Sequence, residues 1–372
     1  MSYRERLSAP GPKRLLALDG GGLRGIISLE ILARLERDLR RETGRSDLVL
    51  ADAFDYIGGT STGAIIAAGL ALGFRVETLM HLYLERGAEM FERSRFRSRF
   101  RHFYQHAPLE RILKDEFDES TTLGSDRLRT LLLVVLRNAS TDSPWPLSNN
   151  PSALFNDESL PDCNLHLPLW QLVRASTAAP VYFAPEKVRL GNSEFVFVDG
   201  GVTPFNNPAL QLFVMATAPA FRLCWPTGAD RLLLVSVGTG NTAHARPKLD
   251  PADMHLLYQA TANVGALLIS SAAQQDFICR LLGDCRFGPP IDLEVGDVRG
   301  EGLLAEPLLS YVRYDVELTR RNLDDLDLGD VSLEQVLPID AVEHLATLRR
   351  VGRAVADRDV NVAHMEGFLP SQ

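Results

Sequence analysis

Three short stretches hold residue types and spacings suited to acyl transfer. The first is Gly59-Thr60-Ser61-Thr62-Gly63. A serine hydroxyl turns into a nucleophile when it projects from a sharp strand-to-helix turn, with a glycine two residues away on either side to make room. A helix starting just beyond would aim its free N–H groups and dipole at that serine and favour negative charge there. The same five residues would also serve as a plain turn of small residues. The second stretch is Asp19-Gly20-Gly21-Gly22-Leu23-Arg24-Gly25. Acyl transfer builds an oxyanion, which fixed N–H donors stabilise best. Consecutive glycines can present backbone N–H groups with no side chain in the way, and Arg24 would anchor the loop or add positive potential. Gly20-x-Gly22-x-x-Gly25 also fits a dinucleotide fingerprint, but that reading needs an acidic residue about 20 positions on, at the end of a second strand. Glu42 and Asp47 lie near that distance and follow a helical pattern instead. The third stretch is Asp199-Gly200-Gly201, where an aspartate at a strand end could meet another residue across a cleft, or simply make an Asp-Gly turn.

The elements around these stretches alternate. Arg14 to Leu18 reads as a short apolar strand ending at Asp19. A helix follows, with Ile27, Ile31, Leu35 and Leu39 recurring at i+4 and Gly44 as its stop. Phe54 to Ile57 reads as a second strand, Gly58 to Gly63 as a tight turn, and Ala64 to Leu72 as a small-residue helix. Leu131 to Leu136, Glu194 to Val198 and Arg231 to Val237 read as further strands. The uninterrupted apolar run at Leu131 to Leu136 suits a strand covered on both faces. Beyond about Asn241 the pattern is mainly helical, with Met254 to Leu282 and Ile339 to Ala356 the clearest helices and Gly283 to Gly302 loop-like. The expectation is an α/β fold in three layers: a mostly parallel central sheet with helices on both faces, plus a helical C-terminal extension. In such sheets the chemistry gathers at the carboxyl ends of strands, where Asp19, Ser61 and Asp199 fall.

A glycine loop, a serine elbow and an acid, in that order on one α/β sheet, resemble the patatin-like phospholipase family. The loop matches its G-G-G-x-R/K-G pattern, the elbow its G-x-S-x-G and the acid its D-G-G/A. Ser176-Thr177-Ala178-Ala179-Pro180, Asn206-Asn207-Pro208, Asp142-Ser143-Pro144-Trp145-Pro146 and Val312-Arg313-Tyr314 look like family segments too. The resemblance implies a Ser61–Asp199 dyad without a catalytic histidine, acting on acyl esters of phospholipids. It implies an oxyanion hole from Gly20, Gly21, Gly22, Arg24 and Gly25, elbow glycines Gly59 and Gly63, and an acid motif completed by Gly200 and Gly201. No cofactor and no metal are implied. A catalytic domain is expected over 15–212, with 213–372 continuing the sheet and adding a helical extension on the same core. A role as a membrane-degrading effector, switched on by assembly or by a small molecule such as a cyclic nucleotide, stays open, as does homo-oligomerisation. The rival in the same reaction class is a Ser-His-Asp esterase, for which His244, His255, His344 and His364 follow the acid in the required order. The rival in another class is a nucleotide-binding oxidoreductase using the glycine loop.

Bulk properties limit the partners. The 372 residues are 45% hydrophobic, enough for a large core, and the net charge of −9 argues against nucleic acid as a partner. Cys163, Cys224, Cys279 and Cys285 match no zinc or redox spacing and read as reduced thiols, which favours a cytoplasmic setting. Met1 to Lys13 has no apolar signal core, and the run Ala64 to Phe74 is too short to span a bilayer, so membrane contact would be peripheral and transient, at the inner surface. One local exception to the acidity is the run in which Arg93, Arg95, Arg97, Arg99 and Arg101 alternate with Ser94, Phe96, Ser98 and Phe100. Arg95, Phe96, Arg97, Arg99 and Phe100 would suit anionic headgroups and the acyl boundary; a solvated loop or a protein contact would suit them equally.

Overall fold

A computed structural model describes residues 2–92, 102–241 and 256–370. Its strands are β1 (Lys13–Leu18), β2 (Tyr56–Thr60), β3 (Leu131–Asn138), β4 (Ser143–Ser148), β5 (Glu186–Leu190), β6 (Ser193–Asp199), β7 (Leu232–Val237), β8 (Asp284–Phe287) and β9 (Ser310–Tyr314). They form one sheet in the order β5-β6-β3-β2-β1-β7-β9-β8, with β4 also paired to β3. The run β3-β2-β1-β7-β9-β8 is parallel throughout; β4 and β6 are antiparallel to β3, and β5 to β6. β7, β8 and β9 all come from beyond residue 212 and extend the sheet on the side of β1.

Helices cover both faces, and two neighbouring glycines show it. Successive strand residues point to opposite sides. A side chain on Gly58 would meet Leu212 in the Ala209–Thr217 helix, whereas one on Gly59 would strike the backbone of Gly63 and Ala64 in the Thr62–Ala71 helix. Small residues here let both helices sit close on β2. That is why Gly58, Gly59 and Thr60 belong to the strand and not to the expected turn, which shrinks to Ser61. The Gly25–Thr43 helix packs against the Leu345–Asp359 helix and the Val76–Met90 helix and ends at Gly44 in the left-handed conformation, φ 69°. β3 is apolar and buried from Leu131 to Leu136. The segment expected to be a loop from Gly283 opens with β8, and the helical tail carries β9. All four cysteines are unpaired, and three of them are buried.

β3 is the ruler on which the site is set out. One of its edges pairs with β4. The other pairs with β2 up to Thr60↔Val135, and from Leu136 onward with β6, at Leu136↔Asp199. β2 and β6 therefore run head-on along one edge of β3 and stop one residue apart, delivering Ser61 and Asp199 to the same place. β1 lies beside β2 with Leu18↔Gly59, so Gly20 falls level with Ser61.

Candidate active site

Ser61 sits at φ 55°, ψ −123°, a backbone that an L-residue adopts only under strain. The strain turns its side chain out of the sheet just before the Thr62–Ala71 helix. The turn closes because Gly59 and Gly63 touch backbone to backbone, with Gly63 also against the Leu18 carbonyl; a methyl group at either would have no space. Ser61 N–H donates to Ser176 Oγ at 2.9 Å, and Ser176 Oγ–H donates to the Val135 carbonyl at 2.7 Å, tying the elbow to β3. Ser61 Oγ–H donates to Asp199 Oδ2 at 2.6 Å.

Asp199 ends β6 and caps the short turn Gly200–Val202, its Oδ1 accepting the Gly201 N–H at 2.6 Å. Only 4% of its surface is exposed. Burial pushes its carboxyl up to about 6, against the hydrogen bonds from Ser61 and the Gly201 N–H and the charge of Arg174, which pull it down. A carboxylate so placed is more basic than one in water.

The glycine loop passes over Ser61. A methyl group built on Gly20 would lie 3.2 Å from Ser61 Cβ. Gly20 N–H donates to the Asn206 carbonyl at 3.1 Å and Leu23 N–H to the Ile339 carbonyl at 2.8 Å. Arg24 N–H donates back to Gly21 at 3.3 Å, and Gly25 N–H to Gly22 and Leu23. Among the described residues the N–H groups of Gly21 and Gly22 have no protein acceptor. Gly22 is at φ 61°, and a methyl group there would strike the Ile339 carbonyl, so no other residue fits. Of the expected loop donors, then, Gly21 and Gly22 have free hydrogens, whereas those of Gly20, Arg24 and Gly25 are spent on the fold. The Arg24 side chain is 9% exposed, and burial lowers its guanidinium to about 10.

These groups line a cavity of about 590 Å³ together with Ile65, Met90, Phe91 and Phe183, within the size range of small-ligand pockets. Phe103 and Val181, each 50% exposed, also line it. Among the described residues no histidine does. His364 instead bonds Tyr314 Oη through Nδ1 at 2.9 Å and stacks on Phe287, and His344 lies in a short turn, Val342–His344. His244 and His255 lie outside the described residues, as do Arg95, Phe96, Arg97, Arg99 and Phe100. No helix among the described residues is long and apolar enough to cross a membrane. Residue reasoning gave no role to Ser176, Asn206, Thr239, Arg313 or Ile339. Ser176, Asn206 and Arg313 fall in segments noticed only for their family look, and Thr239 and Ile339 carried no signal.

A model of the patatin-like phospholipase family matches residues 16–213. Patatin-15 of Solanum tuberosum is 30% identical over 278 residues, covering 68% of this chain and 69% of its own. Patatin-17 of Solanum cardiophyllum is 30% identical over 254 residues, 62% of this chain and 61% of its own. Among solved structures, VipD from Legionella pneumophila covers 92% of this chain and 67% of that chain at 15% identity, with a TM-score of 0.39.

Proposed function

The chain belongs to the patatin-like phospholipase family, and on that premise we propose that it hydrolyses fatty-acyl esters of phospholipids through Ser61 and Asp199. The observation that carries the proposal is the 2.6 Å hydrogen bond from Ser61 Oγ to a buried Asp199 at a strained elbow. Asp199 takes the hydroxyl proton as Oγ attacks the ester carbonyl carbon. The oxyanion forms beneath the glycine loop, where the Gly21 and Gly22 N–H groups are unspent, and the helix beginning at Thr62 adds its positive end. Collapse expels the alcohol portion of the lipid, which takes the proton from Asp199, and leaves an acyl-enzyme. Asp199 then draws a proton from water as it attacks the acyl carbon, and collapse releases the fatty acid by expelling Ser61 Oγ, which takes that proton back from Asp199.

The environment of Asp199 supports a two-member site. A carboxylate in water, with its ordinary value near 3.9, is a feeble base for a serine hydroxyl; burial raises it to about 6 here, which narrows the mismatch without leaving the group protonated at neutral pH. The apolar wall of Ile65, Met90, Phe91 and Phe183 suits an acyl chain, and Phe103 and Val181 give the cavity an exposed apolar rim for transient contact with a lipid surface. The reacting residues lie within 15–212, which we take as the catalytic domain, and 213–372 as its extension on the same sheet.

The test is covalent. A fluorophosphonate probe should label the wild-type chain at Ser61, and Ser61→Ala should lose the label and reduce hydrolysis by about 10⁴-fold or more with an unchanged melting temperature. More than a few per cent residual turnover in a pure sample would remove Ser61 from the role.

A further inference from the structure

A loop of three glycines is a poor platform for catalysis unless something outside it fixes its shape. Glycine backbones move freely, and oxyanion donors work only when held within roughly 0.5 Å of the productive position. The question is what holds Gly21 and Gly22. Neither has a side chain and neither N–H is bonded; their carbonyls accept from the Arg24 and Gly25 N–H groups of the turn that follows. The restraint must come through their neighbours.

The residue immediately before the glycines supplies it. Asp19 is 5% exposed and both its oxygens are taken by one guanidinium: Arg313 Nη1 donates to Oδ1 at 2.9 Å and Nη2 to Oδ2 at 2.6 Å. Arg313 stands on β9, level with Ser236 on β7 and Ala17 on β1. Its side chain therefore crosses the same face of the sheet on which Asp19, two residues after Ala17, lies. It is itself pinned on the way. Nη1 donates to Ser236 Oγ at 2.7 Å and Nη2 to Asp315 Oδ2 at 2.7 Å. Asp315 is fixed in turn, its Oδ1 accepting the N–H groups of Gly240 at 3.0 Å and Val316 at 2.9 Å. Arg313 is 3% exposed. A planar fork against a carboxylate sets direction as well as distance, so it fixes the orientation of Asp19 and of the peptide leading into Gly20. The next peptide, Gly20–Gly21, which carries the Gly21 N–H, is held by Thr239, whose Oγ1–H donates to the Gly20 carbonyl at 3.0 Å.

We propose that Arg313 is a positioning residue for catalysis: by clamping Asp19 from β9 it sets the glycine loop so that Gly21 and Gly22 point their N–H groups at the oxyanion. Arg313 touches no reacting atom. The clamp reaches from outside the family-matched span of 16–213, so that span lacks the brace of its own oxyanion loop. The inference rests on the proposed roles of Ser61 and the glycine loop.

A buried ion pair can be merely structural, and the test must separate the two roles. Steady-state hydrolysis of a soluble short-chain ester, the rate of fluorophosphonate labelling and the melting temperature are to be measured for R313K, for R313M and for the double variant D19N/R313M. R313K keeps the charge and loses the fork; its kcat should fall about tenfold with KM within twofold, as expected for donors displaced by a fraction of an ångström. R313M orphans two buried carboxylates, Asp19 and Asp315, and is expected to melt early. The double variant removes the Asp19 charge and leaves only Asp315, which keeps the Gly240 and Val316 N–H groups, so its melting temperature should recover in part towards wild type while kcat stays about 10²-fold down. Labelling should slow by the same factor as kcat, because the phosphonyl oxygen occupies the oxyanion position. A double variant whose kcat returns to within twofold of wild type would make the pair structural only and overturn the proposal, as would a loss confined to KM or labelling that proceeds at the wild-type rate. If the double variant does not fold, R313K decides by the same three readings. An active Ser61→Ala would show that the nucleophile assignment had failed, independently of any variant at the clamp.

Discussion

The front of the chain and the back of it meet at one cavity with different tasks. Ser61, Asp199 and the glycines sit in segments of the first 212 residues, each at or just past the end of a strand. Thr239, Arg313 and Ile339 come from the remainder and grip those segments from behind. The groups proposed to react need small, strained or glycine-flanked surroundings, and such needs leave a mark within a few residues. A brace needs only the right reach from a distant strand, and its partner lies hundreds of positions away. Function assigned from motifs alone therefore stops at the front half, although the back half carries part of the geometry.

The sharpest way to break this division is at Asp199. If it is the base, Asp199→Asn should cost about 10²- to 10⁴-fold in kcat, because an amide accepts no proton from the serine. The same variant should not be destabilised. Burial holds the carboxyl near 6 from an ordinary 3.8, so the folded state binds the proton more tightly than the unfolded one. Ionisation then weakens folding progressively as pH rises from about 4 to 6, and the full cost persists above. Rising from 3.8 to about 6, the carboxyl costs folding on the order of 3 kcal/mol at neutral pH. The melting temperature of the asparagine variant relative to wild type should therefore climb between pH 4 and 6 and level off. A difference that ignores pH would mean that Asp199 does not titrate as its burial implies.

A smaller effect follows in the wild-type enzyme. Only the carboxylate form can accept the proton, so kcat/KM on a soluble ester should rise about tenfold per pH unit below the apparent value and flatten above it. With Asp199 near 6, the bend belongs near pH 6, with half-maximal activity there. A bend near 4 would describe a solvated aspartate and leave the dyad without its base.

The parts of the molecule that were legible and those that were not follow the same divide. β1, β3, β6 and β7 stand out as apolar runs, and the helix from Gly25 shows its i+4 spacing and its Gly44 stop. β2 was read too early and too short, because Gly58 and Gly59 look like turn residues when their task is to let helices approach both faces. β4 holds Pro144 and Pro146, which cannot donate to a ladder, and it pairs with β3 alone. β8 is Asp-Cys-Arg-Phe, with no apolar run to announce it, and β9 hides behind the charge of Arg313. The elbow, the glycine loop and the acid were visible as residues. That β2 and β6 meet head-on along β3 was not, because strand register is a property of pairs. Nor could residue types alone tell which N–H groups of the loop are free, since that depends on the carbonyls of Asn206 and Ile339.

The smallest expected effects fall on the histidines, and they sharpen the comparison most economically. In a Ser-His-Asp hydrolase the histidine does the proton transfer and the acid only orients it, so removing that histidine is as harmful as removing the serine. Here Asp199 bonds Ser61 directly, with no ring between them. His364 is occupied elsewhere: it bonds Tyr314 Oη and lies stacked on Phe287 at 4.6 Å, beside β9. Burial holds its imidazole below the usual range, which suits a neutral ring fixed in packing. Alanine at His364 should cost roughly 1–2 kcal/mol of stability through the lost hydrogen bond and stacking, while kcat on a soluble ester stays within about twofold. His344 lies in its short turn, away from the cavity lining, and should be near neutral on both measures. The same activity assay applied to His244→Ala and His255→Ala completes the set of histidines that follow the acid. Wild-type rates in all four variants, beside collapse in Asp199→Asn, are what a dyad requires. A tenfold or greater loss of kcat at any one of them, with the native circular dichroism spectrum retained, would place a third member in the site and return the chain to triad chemistry.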